Sequence, residues 1–249
     1  MGSVSIIKIP EAIWKKRASI GKAALSIIPS AQTILASKGI RGTLREPRLV
    51  HLAGKKTFLA THRENGCVFE FDARKTMWSA GNSAERKRIS EEIKEGEIVM
   101  DFFAGPGDWS IPIAKTRKPE KVIAIEASKE SHDSLKKNIA LNKVGGMVEA
   151  RLGKCEKIAP ALGMKADRIL LGWLPEPAFA LEAALDCAKP GTVIHYHALS
   201  KENESQALFG RVRKKAEEFG KRLALKRVQR VKSYAPRVNH YDLELEVME

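Results

Sequence analysis

Cysteine is scarce in this chain. Only Cys67, Cys155 and Cys187 occur among 249 residues. They are odd in number and far apart, which excludes a disulfide framework and leaves no metal-ligand spacing. Long apolar runs are also missing: no stretch approaches the ~18 residues a membrane-crossing helix requires. The opening residues, MGSVSIIKIPEAIWKK, lack the apolar core and cleavage site of a secretory leader. There is no internal repeat and no low-complexity tract. These absences predict a soluble cytoplasmic protein with no membrane and no metal, expected as a monomer. Acidic residues fall short as well, 30 against 44 basic, for a net charge of +14. Such an excess calls for a polyanionic partner, nucleic acid ahead of an acidic membrane surface. What is present is a 43% hydrophobic share. That is enough to bury a core in one large domain, or in one large and one small.

The first 75 residues are short, mixed elements and predict a small N-terminal α+β domain over 1–75. Ile13 to Leu35 has mostly helical apolar spacing, broken by Pro29. Lys56–Ala60 and Cys67–Asp72 read as strands, and Glu64-Asn65-Gly66 between them signals a hairpin. A larger domain follows over 76–249. From residue 91 apolar runs alternate with amphipathic segments. Strands are expected at Glu97–Phe103, Lys121–Glu126, Val148–Leu152, Arg168–Leu174 and Thr192–Leu199. Helices are expected at Trp109–Lys115, Ser131–Asn142, Pro177–Ala188 and Asn203–Phe219. Alternation of this kind builds βαβ units and a parallel sheet. Ala224–Ser233 and Tyr241–Val247 leave no room for a helix between them and must pair antiparallel. A mostly parallel seven-stranded sheet closed by such a hairpin resembles the Rossmann-like, class I S-adenosylmethionine-dependent transferase fold.

In doubly wound sheets the ligand lies beyond the carboxyl ends of the strands, where strand order reverses. Asp101-Phe102-Phe103-Ala104-Gly105-Pro106-Gly107 follows the first strand there, and Gly105 lets backbone approach a ligand closely. Glu126 ends the next strand, where a carboxylate can accept two hydrogen bonds from a ribose diol. Ser110 stands where a dinucleotide fingerprint needs its third glycine, and no Walker lysine follows. The expected ligand is therefore a nucleoside without pyrophosphate, and S-adenosylmethionine fits best.

Six blocks carry a family resemblance: NGCVFEFDARKTMWSAGNSAERKRI (65–89), VMDFFAGPGDWSIPIAK (99–115), VIAIEASKE with its helix ending in NIALNKV (122–144), ADRILLGWLP (166–175), GTVIHYHALSKE (191–202) and VKSYAPRVNHYDLELEV (231–247). Together they resemble the archaeal aminocarboxypropyltransferases of tRNA wybutosine synthesis. The sister branch is the tRNA guanine-37 N1-methyltransferases. The resemblance implies transfer of the 3-amino-3-carboxypropyl arm of S-adenosylmethionine to C7 of 4-demethylwyosine at position 37 of phenylalanine tRNA, leaving methylthioadenosine. The methyltransferase pattern has an Arg where this chain has Gly81 and an Asn where it has Gly172. Glycine can neither hold guanine's edge nor stabilise charge on it, so the pattern favours the aminocarboxypropyl branch. Glu85 matches the methyltransferases' general base, and Trp173 and Pro175 are expected to shape the acceptor pocket. Ser79 and Arg86 match cofactor-contacting positions, with Arg86 expected to pair with the arm's carboxylate. Phe103, Gly105 and Glu126 complete the cofactor set. Lys154-Cys155 replace the family's Asp-Asn beside the adenine.

His195 and His197 lie two apart on a strand and should share one buried face. Tyr234 and His240 are placed toward tRNA. Basic groups at Lys15–Arg17, Arg41–Arg48, Arg74–Lys75, Arg86–Arg88, Arg211–Lys215 and Lys221–Lys232 would grip phosphates of the anticodon loop without sequence readout. Two other readings stay open: N1 methylation of guanosine in tRNA, and a non-catalytic RNA-binding protein with a degenerate cofactor fold.

Overall fold

The structure is a computed structural model and describes residues 2–42 and 45–249. Thr43 and Leu44, inside the basic stretch Arg41–Arg48, lie outside the described residues. The chain opens with strand β1 (Val4–Ile7), helix α1 (Arg17–Ile27), β2 (Thr33–Arg41) and β3 (Glu46–Gly54). β1 runs parallel and β3 antiparallel to β2. Helix α1 covers this sheet over a small core of Ala24, Ala31, Ile34 and Ala53. The helical spacing read through Leu35 therefore stops at Ile27. Beyond Pro29, Thr33–Leu35 are wholly buried strand residues. Their partners β1 and β3 come from elsewhere in the chain, which a local periodicity cannot register.

Next come β4 (Leu59–Glu64) and β5 (Cys67–Asp72), an antiparallel hairpin in which Glu64 faces Cys67. Asn65 and Gly66 both take positive φ, +49° and +72°, as a two-residue hairpin turn requires. Cys67, Phe69 and Phe71 alternate inward, and Phe69 and Phe71 pack on Trp78 at 4.8 and 5.3 Å.

The remainder builds the large sheet: α2 (Ser83–Glu92), β6 (Ile98–Asp101), α3 (Ser110–Arg117), β7 (Lys121–Glu126), α4 (Lys129–Leu141), β8 (Val148–Leu152), α5 (Cys155–Ala161), β9 (Ala166–Leu171), α6 (Leu181–Asp186), β10 (Ala188–Lys201), α7 (Ser205–Glu218), β11 (Leu223–Ala235) and β12 (Val238–Val247). Strand order is β11-β12-β10-β9-β6-β7-β8. Neighbours from β8 to β10 pair parallel, and β12 pairs antiparallel with β10 and β11. This is the expected seven-stranded sheet with its terminal hairpin. Successive side chains point to opposite faces, so Val99 and Leu170 enter one core and Met100 and Ile169 the other. The chain leaves β6 for β7 and β8, then crosses back to β9. The reversal puts a crevice between the carboxyl ends of β6 and β9.

The hairpin docks on α4 through two asparagines. Asn142 Oδ1 accepts from Val68 N at 2.9 Å, and its Nδ2 donates to Val68 O at 2.6 Å. Asn138 Oδ1 accepts from Glu70 N at 2.7 Å, and its Nδ2 donates to Pro106 O at 2.9 Å. No helix among the described residues is long and apolar enough to cross a membrane.

Candidate active site

β6 ends at Asp101, whose carboxyl accepts from Ser110 Oγ at 2.7 Å and from Phe103 N at 3.3 Å. These bonds shape the turn between β6 and α3. Within it Gly105 and Gly107 have φ of +52° and +94°. A Cβ on Gly107 would lie 2.6 Å from Ile111 Cδ1 and 2.9 Å from Leu135 Cδ1. Only glycine lets the loop sit this close to α3 and α4. Glu126 closes the loop from the end of β7. Its Oε2 accepts from Gly105 N at 2.8 Å, and its Oε1 accepts from Ser128 N at 2.7 Å. Burial pushes the Glu126 carboxyl above the usual range against the pull of these backbone donors. Each carboxylate oxygen has a second lone pair for a ligand.

A cleft of about 380 Å³ runs over the carboxyl ends of the strands. Ser79, Phe103, Gly105, Glu126, Lys154, Cys155 and Trp173 all line it, residues brought together from five separate stretches of the chain. Phe103, Trp173 and Phe179 form an aromatic wall with ring centroids 5.2 to 5.9 Å apart. Burial and the adjoining Glu156, which accepts from Sγ at 3.1 Å, push the Cys155 thiol up. It stays protonated and is no nucleophile.

Three expected residues stand outside the cleft lining. Arg86 is fully buried, and its fork closes on Glu64 of β4, Nε to Oε1 at 2.7 Å and Nη2 to Oε2 at 3.0 Å. Its Nη1 donates to Ser79 O at 3.0 Å and to Asp108 Oδ2 at 3.1 Å. The bidentate pairing expected with a ligand carboxylate is thus taken by the protein. Arg86 instead holds two residues of the cleft wall, Ser79 and Asp108. Burial raises the Glu64 carboxyl, but His62 and Arg86 outweigh it and bring it down to about 2. Glu85 is 4% exposed and is gripped by Arg88, which also reaches Asp242 Oδ2 at 2.7 Å. A carboxylate held in that ion pair is a structural anion. Pro175 lies past the cleft wall, where its carbonyl accepts from Leu199 N at 2.7 Å and ties the loop to β10.

Two cleft-side residues carry no signal in the sequence that places them at the cleft. Lys232, from β11, donates from Nζ to Ser79 Oγ at 3.1 Å. A Cβ on Gly81 would meet its Nζ at 3.1 Å and its Cδ at 3.2 Å. Burial, then Arg86, pushes the Lys232 ammonium down. Trp109 presents Nε1 3.6 Å from where a Cβ on Gly172 would stand. Space left by each of the two glycines is therefore faced by a nitrogen from a distant part of the chain.

A smaller recess of about 80 Å³ adjoins the cleft and shares Met77, Ser79, Asn82, Trp109 and Gly172 with it. His197 and His240 line this recess. His195 and His197 are both buried, as their alternation predicts. His195 Nδ1 lies 2.8 Å from Asp242 Oδ2, and His197 Nδ1 lies 3.0 Å from His240 Nε2. His240 is 1% exposed, so it does not sit on an outer tRNA-facing surface, whereas Tyr234 is 51% exposed.

A family model described as the TRM5/TYW2 methyltransferase domain matches residues 60–228, and one described as the TYW2 N-terminal domain matches residues 1–57. The chain belongs to the TRM5/TYW2 family. Within the family it is 33% identical over 250 residues to the tRNA (guanine(37)-N(1))-methyltransferase Trm5b of Pyrococcus abyssi, covering 99% of this chain and 73% of the relative. It is 35% identical over 208 residues to the tRNA(Phe) (4-demethylwyosine(37)-C(7)) aminocarboxypropyltransferase of Methanocaldococcus jannaschii, covering 83% of this chain and 82% of that one. The crystal structure of Pyrococcus horikoshii TYW2 in complex with MeSAdo superposes with a TM-score of 0.85 at 30% identity, covering 100% of this chain and 89% of the other.

Proposed function

We propose that this TRM5/TYW2 protein transfers the 3-amino-3-carboxypropyl group of S-adenosylmethionine to C7 of 4-demethylwyosine at position 37 of phenylalanine tRNA. The observation that carries this reading is the match of residues 1–57 to the TYW2 N-terminal domain. The glycines at 81 and 172 support it. The cleft suits a nucleoside cofactor on its own chemistry: Glu126 has acceptor capacity to spare at the ribose position. Asn82, on the same wall, keeps an unpartnered buried Oδ1. When bound, S-adenosylmethionine supplies a carbon already activated by its sulfonium.

The protein's share of the work is then positioning. Glu126 holds the ribose, with Gly105 presenting backbone beside it. Lys154 and Cys155 bound the adenine end. Phe103 and Trp173 supply flat apolar surface for ring systems. Ser79 and Lys232 stand where the arm's carboxylate needs a hydroxyl and a cation, the part read from sequence as belonging to Arg86. Arg86 is a positioning residue behind them. Glu85 and Pro175 act on the acceptor side through the elements they brace. The +14 charge serves tRNA phosphates, and the base enters the pocket flipped from its stack. We place this activity in a cytoplasmic monomer.

The 33% identity to Trm5b favours a second reading, N1 methylation of guanosine 37. Cofactor labelled separately in the methyl and in the methionine carboxyl decides between them. Each preparation is incubated with phenylalanine tRNA carrying 4-demethylwyosine or unmodified guanosine at position 37. Carboxyl label entering only the 4-demethylwyosine tRNA is expected. Methyl label entering the guanosine tRNA overturns the reading.

A further inference from the structure

Transfer of an arm to a ring carbon leaves that carbon with one proton too many. The cleft carboxylates are already engaged: Glu126 by Gly105 N and Ser128 N, Asp108 by Arg86, and Glu156 by the Cys155 thiol. Glu85, the sequence candidate, is committed to Arg88. The recess beside the cleft is different. Among its described lining residues the only titratable side chains are Arg45, His197 and His240. A guanidinium stays charged, so the two imidazoles are the recess's only bases.

Their wiring is directional. His197 Nε2 lies 3.9 Å from Asp242 Oδ1, and both atoms lack a hydrogen-bond partner. Asp242 is wholly buried, and its other oxygen is held by His195 and Arg88. An anion fixed this way favours the proton of His197 on Nε2, the nitrogen facing it. His197 Nδ1 is then an acceptor, so the 3.0 Å contact with His240 requires His240 to donate from Nε2. That leaves His240 Nδ1 as a bare lone pair, and Nδ1 is buried without a partner.

We propose that His240 Nδ1 takes the proton released from C7 of the acceptor base, with His197 as the positioning residue that sets its tautomer. The inference rests on the reading of the activity given above. C7 supplies the electron pair for its new bond to the arm's terminal carbon, and the carbon–sulfur bond breaks with its pair going to sulfur. C7 then carries both the arm and its original proton. The C–H pair returns to the ring and the proton passes to His240 Nδ1. Charge is conserved: the sulfonium's positive charge passes to the base, and from there to the imidazole.

Burial, with His197 and Lys232 nearby, holds the His240 imidazolium down to about 3, against the pull of Asp242. A weak base is adequate here, because a cationic ring bearing a proton on carbon is strongly acidic. The low value also keeps the lone pair free at neutral pH. The groups that bear on this lone pair are His197 on β10, Asp242 on β12 and Lys232 on β11.

The test uses the full-length protein in three arms. In the cofactor-free protein, ¹⁵N–¹H spectra of the histidine rings should show His240 and His197 protonated on Nε2 only. His240→Ala should slow single-turnover transfer about 100-fold, with affinities for S-adenosylmethionine and tRNA within about 2-fold of wild type. Added imidazole should restore part of the rate, and deuterium at C7 should slow the variant more than wild type. His240→Gln, which fills the same space without a basic nitrogen, should be as slow as His240→Ala and not rescued. A His240 ring protonated on Nδ1 overturns the proposal. So does a full transfer rate in either variant, or a loss that imidazole leaves untouched. If His240→Ala fails to fold, a full rate in His240→Gln still overturns it. Wild type that transfers no arm to 4-demethylwyosine tRNA overturns the activity itself, and the proton acceptor with it.

Discussion

Glu126 Oε1 and Oε2 each accept one backbone N–H, from Ser128 and Gly105, so a single carboxylate shapes the loop and lines the cleft. Glu126→Gln keeps one acceptor oxygen and removes the charge. Calorimetric titration should show S-adenosylmethionine binding at least about 10-fold more weakly, since hydrogen bonds to a charged group contribute about 1.5–3 kcal/mol. Unchanged affinity would remove the ribose assignment. Asp101 sets a pH dependence of its own. Burial raises its carboxyl to about 7 from 3.8 in spite of the Ser110 bond. Between those values the folded protein binds more protons than the unfolded chain, so stability falls as pH rises. Glu64, brought down to about 2 from 4.5, works the other way. Its stabilisation is complete above about pH 4.5 and is lost as pH falls toward 2. Thermal melts from pH 4 to 8 should show a declining limb in wild type that Asp101→Asn flattens. An identical slope in both would mean that Asp101 is ionised throughout.

At the scale of elements, α4 is the clamp between the Asn65-Gly66 hairpin and the glycine loop. Asn138 is fully buried and holds Glu70 N on one side and Pro106 O on the other. Asn138→Ala strands both partners in the interior, at about 1–3 kcal/mol for each unsatisfied group. A drop in melting temperature of at least about 4 °C is expected, at about 2–4 °C per kcal/mol for a chain of this size, with the cofactor site loosened along with it. A melting temperature within 1 °C of wild type would show that water replaces the amide. The strands of the large sheet were legible because their residues alternate between two apolar cores or lie buried on both faces. Helix α2 was not. Ile89 is its only buried apolar residue, beside Glu85, Arg86 and Ser90, so hydrophobic periodicity has nothing to register. β1 and β3 escaped for a related reason: most of β3 is only half-buried, and its pairing with β2 is set by register across the small domain.

At the scale of the whole molecule, the +14 charge belongs to no single pocket. It should make tRNA affinity steeply salt-dependent, because each neutralised phosphate releases counterions. Filter binding between 50 and 200 mM salt should lose at least about 10-fold in affinity, and a flat response would remove the electrostatic grip. Taken alone, the sequence determined the alternation of strands and helices and the glycine loop with Glu126. These follow from residue types at short spacing, which local physics reads directly, whereas the weight given to Gly81 and Gly172 rests on the family resemblance. The tertiary structure decided which charged groups are free. The family resemblance implies a cofactor contact at Arg86 and a general base at Glu85, yet Glu64, 22 residues before Arg86, and Arg88 pair with them in the interior. Lys232 and His240, from the last two strands, are carried to Ser79 and to the recess instead. Burial makes an unpaired charge costly, so the fold settles which partners meet, and the groups it leaves unpaired are the ones a substrate can use.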